Sequence, residues 1–374
     1  MPEVLLIVLL GAGILGALFY ILWSRGWMRN GYFTVGTSIL IAVAVFVVYQ
    51  TLGALLVVLM AGGSVADAGG QIILGANAIG QMLVLVGGTF LLIRATDQDY
   101  ITTLRLEGIS QTPPALYLIA GPIMFGAQAV GQILSIFWDR AVQRLPYYET
   151  LKELETAQDE MLAGLVGADS FPELLFVLLV VAIVPAIAEE MFFRGFLQTN
   201  IERSGHRRSR PYVALVIASV VFAIVHFSLM KLPGLLALGL AMGYMSYRTN
   251  NLIVGAFAHA MNNGMIVLAM YTNPEQFTGT EPDKILKENN VGDPELVGAL
   301  IFTSMLLGLG VYLFHKWSEP IEARDYAEQE VRATTAYYDA LALREMGAFE
   351  SDPLEIPDHS HEPSQQDNDQ QRPL

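Results

Sequence analysis

The chain has 374 residues, 53% hydrophobic and only 15% charged, with a mean hydropathy of +0.45. An ordinary soluble domain carries about 25% charged residues, so this is the composition of a polytopic membrane protein. The formal net charge of −15 lies in loops and tail: five basic against fourteen acidic residues from Lys316 onward, three against seven over Asp139–Ser170, and two against six over Thr272–Leu296. The absence of cysteine removes disulfides, thiolate nucleophiles and cysteine metal sites. The lack of a sustained basic face argues against a nucleic-acid partner.

Hydropathy predicts nine spans, each near the ~20 residues a helix needs to cross the hydrocarbon core. They run over Leu5–Trp23, Phe33–Met60, Gln71–Ile93, Ala115–Trp138, Phe171–Leu197, Tyr212–Met230, Leu232–Tyr247, Leu252–Tyr271 and Leu296–His315. The fold class expected is an all-α transmembrane helix bundle. The first span follows Met-Pro-Glu rather than a positive leader, and Arg25 and Arg29 come after it, so it reads as a retained helix. The second is long enough to tilt or to kink at Gly53. The seventh is short and carries Gly234, Gly239 and Gly243, which suits tight packing inside the bundle.

Basic residues cluster in Ser24–Tyr32 and Gly195–Pro211. Positive loops stay in the cytoplasm, which places the N-terminus outside, the C-terminus inside and both acidic loops outside. The chain then divides into N-terminal helices (1–138), an acidic extracytoplasmic loop with a short surface helix (139–170), a transmembrane core (171–315), a cytoplasmic polar helix (316–349) and a disordered acidic tail (350–374). His359 and His361 fall in that tail, where solvation explains them better than a metal does.

Within the fifth span stands Ala188-Glu189-Glu190-Met191-Phe192-Phe193-Arg194. Ionised groups in a bilayer-length segment are costly and usually serve a site or a pairing. Glu190 and Arg194 are i,i+4 and predict an ion pair; Glu189 points about 100° away and lacks a local partner. His226 closes Phe222-x-x-x-His226, and His259 opens His259-Ala-Met-Asn262-Asn263. Three helices thus carry strongly polar groups while the other apolar helices carry almost none, which predicts one shared polar cavity. Pro185 removes a backbone donor one turn before Glu189, opening the helix and leaving a carbonyl free.

Neither HExxH nor a G-x-S-x-G serine motif is present. A glutamate and two histidines suit water activation, a metal such as zinc or a proton relay. A carboxylate in a low-dielectric site fits a general base, and an imidazole and a carboxamide one turn apart fit an oxyanion hole. These parts suffice for hydrolysis of an amide.

Glu189-Glu190-x-x-x-Arg194, Phe222-x-x-x-His226 and His259-x-x-x-Asn263, in that order on successive apolar helices, resemble the CPBP family of intramembrane proteases, which includes the type II CAAX prenyl endopeptidases (Rce1-like, Abi). The likeness covers about residues 171–271. It implies that Glu189 and His226 activate water, that His259 and Asn263 hold the oxyanion, and that Glu190, Arg194 and Phe222 support them. It implies a membrane-borne peptide or protein substrate, prenylated in some members. Metal-dependent and metal-free routes both stand; a metal would be held by Glu189, His226 and His259.

With straight helices, Glu189 would lie ~12 Å and His259 ~10 Å from the basic-loop ends of their spans, but His226 ~21 Å. The site is expected to open toward the cytoplasmic leaflet. Two rival functions share the same residues. A proton-coupled transporter would use them as a relay and would be expected to show inverted repeats, for which the chain has no convincing internal symmetry. An immunity or scaffold protein would use them only to hold its bundle.

Overall fold

A computed structural model describes residues 31–62, 69–204, 210–272 and 297–318, with isolated positions 13, 20 and 294. The first expected span apart from positions 13 and 20, the polar helix expected after His315 beyond Ser318, the acidic tail and all the acidic residues between Thr272 and Leu296 lie outside the described residues. Among the described residues every regular element is helical.

In chain order the helices are α1 (Val35–Met60), α2 (Gly70–Ala95), α3 (Tyr100–Thr103), α4 (Pro114–Val142), α5 (Tyr148–Val166), α6 (Phe171–Arg203), α7 (Arg210–Ile224), α8 (Leu232–Thr249), α9 (Leu252–Thr272) and α10 (Val297–Ser318). Six of them, α1, α2, α4, α6, α9 and α10, are long and apolar enough to cross a membrane. The expected spans at α7 and α8 do form helices. α7 has only 15 residues, and α8 is held in the bundle interior.

Local chemistry sets the ends. Ser170 accepts from the Glu173 N–H (3.4 Å) while the Glu173 carboxylate takes the Asp169 N–H (3.0 Å), a reciprocal cap that starts α6 with Pro172 in its first turn. Asn250 ends α8 in the left-handed region (φ 44°). Helix crossings are made close by glycine. A Cβ at Gly131 of α4 would lie 2.6 Å from the Gly234 Cα of α8, so α4 tolerates no side chain at that crossing. α1 runs unbroken through Gly53, so the kink expected there does not form, and a Cβ on Gly80 of α2 would stand in ordinary contact with the Gly53 Cα at 3.6 Å.

Three stretches of wide, π-helical turns occur, at Met82–Gly87, Leu178–Ile183 and Met191–Gln198. Two flank the paired glutamates. Such turns often mark functional helices.

The segment between α3 and α4 clips onto the α8–α9 turn. Gly108 N–H donates to Asn250 O (2.9 Å), and Leu252 N–H donates to Arg105 O (3.0 Å). Buried Arg105 also donates to the Arg194 carbonyl (3.2 Å) and pairs with Glu202. The N-terminal half is therefore bonded directly to the helix that carries the glutamates.

Candidate functional site

The expected i,i+4 pair is present. Arg194 donates to Glu190 Oε1 at 2.7 Å, and both side chains are essentially without solvent exposure. The guanidinium also donates to Gly239 O (3.2 Å) and lies 4.4 Å over the Phe222 ring. Three helices thus complete the coordination of one cation. Gly255 of α9 lets this happen, because a Cβ there would stand 3.0 Å from Glu190 Oε2.

Glu190 has a second partner. His259 Nδ1 lies 3.2 Å from the same Oε1 and donates to it, so the carboxylate orients the imidazole and leaves Nε2 directed elsewhere. Phe222 joins the remaining parts: its ring is 6.1 Å from His259, edge on, and 4.6 Å from His226. His226 Nδ1 donates to the Phe222 carbonyl at 2.6 Å. A carbonyl only accepts, so neutral His226 keeps its proton on Nδ1 and presents a lone pair at Nε2. The structure brings Glu190, Arg194, Phe222, His226 and His259 into one contact chain.

Glu189 stands beside that chain. It is half-buried, and its Oε2 has no hydrogen-bond partner among the described residues. Asn263 turns to the same helix as His259 does, but to a backbone group: its Nδ2 donates to Val181 O at 3.2 Å. Val181 O is the i−4 carbonyl of Pro185, which has no N–H to offer it. The carbonyl left free by the proline is thereby satisfied by Asn263, while Asn262 donates to Asn263 Oδ1 (3.4 Å).

Four expectations are corrected. His226 is not inside a spanning helix. α7 ends at Ile224, and Phe227 takes a left-handed conformation (φ 51°) that turns the chain into α8. His226 therefore stands beyond the end of α7, two residues past Ile224. Second, the depth reckoned for Glu189 changes, because α6 continues to Arg203 rather than stopping at Leu197. Glu189 is then ~21 Å along the helix from that end rather than ~12 Å. Third, the metal set does not form: among the described residues no three His, Cys, Asp or Glu side chains are grouped to hold an ion.

The fourth concerns the other apolar helices, which do carry polar groups. Tyr49 of α1 donates to Asn77 Oδ1 of α2, and Gln81 Nε2 donates to the Tyr49 oxygen (3.4 Å). The i,i+4 spacing of Asn77 and Gln81 in an apolar helix was the available signal. Arg105 was also missed, and no spacing marks it, because it acts through the Arg194 backbone across 89 residues.

Long apolar helices around a buried carboxylate–guanidinium–imidazole constellation define a multi-pass membrane protein with a polar site inside its bundle. Residues 171–265 match the family model described as type II CAAX prenyl endopeptidase Rce1-like, a protease family. The matched segment holds Glu189, Glu190, Arg194, Phe222, His226, His259 and Asn263, and is about a quarter of the chain. No curated protein and no solved structure matches.

Proposed function

We propose that this chain is an intramembrane endopeptidase that hydrolyses a peptide bond near the membrane surface with water activated by Glu189 and His226. The observation that carries the reading is the contact chain from Glu190 through His259 and Phe222 to His226. Beside it lies a carboxylate oxygen of Glu189 that the fold leaves unpaired.

Glu189 and the Nε2 lone pair of His226 accept the proton of the attacking water as its oxygen adds to the scissile carbonyl. His259 gives Nδ1–H to Glu190, and when protonated it offers Nε2–H to the oxyanion. Asn263 has a second Nδ2 hydrogen beyond the one given to Val181. The captured proton then passes to the leaving amine nitrogen, which releases an acid and an amine. Glu190 and Arg194 touch no reacting atom and hold His259 and Phe222 in place. No step passes through a metal.

The substrate is a membrane-associated peptide or protein, and a prenylated CAAX peptide is the first probe. The N-terminus is placed outside and the C-terminus inside, from the basic loops. Glu189→Gln and His226→Ala variants that insert normally are expected to lose cleavage by about 10²-fold or more. Cleavage by either variant at the unaltered rate would overturn the mechanism, and retained phenotype in the double variant would point to a scaffold.

A further inference from the structure

The turn after His226 is strained and heavily held. Phe227 adopts φ 51°, a conformation that persists in a non-glycine residue only when its surroundings over-determine it. Those surroundings come largely from outside the segment that matches the protease family. Glu155 of α5 reaches in and takes three donors with one carboxylate: the Ser228 hydroxyl (2.7 Å) and the backbone N–H groups of Leu229 and Met230, the latter at 3.1 and 3.2 Å to its two oxygens. Trp138 Nε1 donates to the Leu229 carbonyl at 2.8 Å, and Lys231 pairs with Asp159 of α5. Phe46 of α1 packs against the Phe227 ring at 5.7 Å.

Three features separate Glu155 from an ordinary surface acid. Its neighbours Glu149, Glu153 and Glu160 are exposed on α5, whereas Glu155 is half-buried. Hydrogen bonds to an ionised acceptor are roughly twice as strong as neutral ones, and all of those to Glu155 fall on consecutive residues, 228–230. The negative group also lies at the start of α8, where the unpaired N–H groups of the helix favour it.

We propose that Glu155 is a positioning residue for His226. By clamping residues 228–230 it holds the left-handed turn at Phe227, and so fixes where the Nε2 lone pair of His226 points. The acidic segment 139–170 thereby belongs to the working site. The proposal rests on the reading of His226 as a water-activating base, and its test keeps the two apart.

The full chain, labelled with ¹⁵N-histidine and placed in phosphatidylcholine nanodiscs, gives two readouts: the His226 tautomer by NMR, identified by its loss in His226→Ala, and cleavage of a prenylated CAAX peptide. Wild type should show one tautomer with the proton on Nδ1. Glu155→Ala should show a mixture and lower kcat about tenfold, with KM changed less than about twofold, as expected for lost alignment rather than lost binding. Glu155→Gln keeps an oxygen acceptor and should rescue part of both, and it carries the test alone if the alanine variant fails to insert. Glu153→Gln, at an exposed acid of the same helix, should leave both unchanged. A single unchanged tautomer in the inserted Glu155 variants overturns the positioning role, whatever the protein cleaves. A tautomer that responds to Glu155 in a protein that cleaves nothing upholds the role and overturns the protease reading instead.

Discussion

Replacing Arg194 by methionine removes the cation from a pair that has no solvent to fall back on. At 2.7 Å, two unit charges attract by about 6 kcal/mol at an effective dielectric of 20. Desolvating each ion costs several kcal/mol, so the intact pair contributes little net stability. The single variant behaves differently, because Glu190 would stay buried with an unmatched charge. That costs about 3–5 kcal/mol, and up to about 2 kcal/mol more goes with the contact over Phe222, 4.4 Å from the guanidinium. Glu190→Gln should cost a similar amount by stranding Arg194. The double variant Glu190→Gln/Arg194→Met should return to within about 2 kcal/mol of wild type. Reversible unfolding in mixed micelles measures all four proteins. Additive single losses, with no recovery in the double, would refute the account of the pair. Activity should not recover with stability, since His259 loses the carboxylate that orients it.

Asn263→Ala should cost about 1–3 kcal/mol by leaving the Val181 carbonyl unpaired, and adding Pro185→Ala, which restores an N–H to that carbonyl, should recover much of this without restoring cleavage. Gly131→Ala should destabilise by about 1–3 kcal/mol, because its Cβ meets the Gly234 backbone at 2.6 Å. Gly164→Ala on α5 has open space around it and should stabilise by about 1 kcal/mol, both changes being read by the same unfolding assay. Tyr148 lies outside the spans, and burial, followed by its bond to the Asp139 carboxylate, raises its phenol above the ordinary 10.0. The folded value being the higher one, this contribution is complete below pH 10.0 and is lost as pH rises through the folded value. Alkaline unfolding of Tyr148→Phe should therefore lack that component.

Much of the architecture could be read from local pattern. Apolar runs of bilayer length become helices because in hydrocarbon every backbone group must be paired within its own segment. That logic located eight described helices within a few residues, apart from the two ends that bear on the site. Those ends depended on contacts. α6 outran its apolar stretch because Gln198, Thr199 and Asn200 are buried, with Gln198 donating to Gly243 O and Asn200 bonded to Gln98. α7 fell short because Glu155 and Trp138, distant in sequence, favour the turn at residues 227–231 over another helical turn.

The sequence alone determined that the chain is an all-α membrane bundle and that Glu190 pairs with Arg194, because a four-residue spacing on a helix carries its own geometry. It also placed Phe222 against His226 and left Glu189 without a partner nearby. Tertiary structure decided the rest. It assigned His259 to Glu190 rather than Glu189, sent Asn263 to the carbonyl of Val181, grouped no three metal-ligating side chains among the described residues, and brought an acid from a surface helix onto the turn after His226. These are meetings between residues 69 to 82 positions apart. No periodicity records them, since they follow from which helix faces pack together and which buried polar groups still need partners.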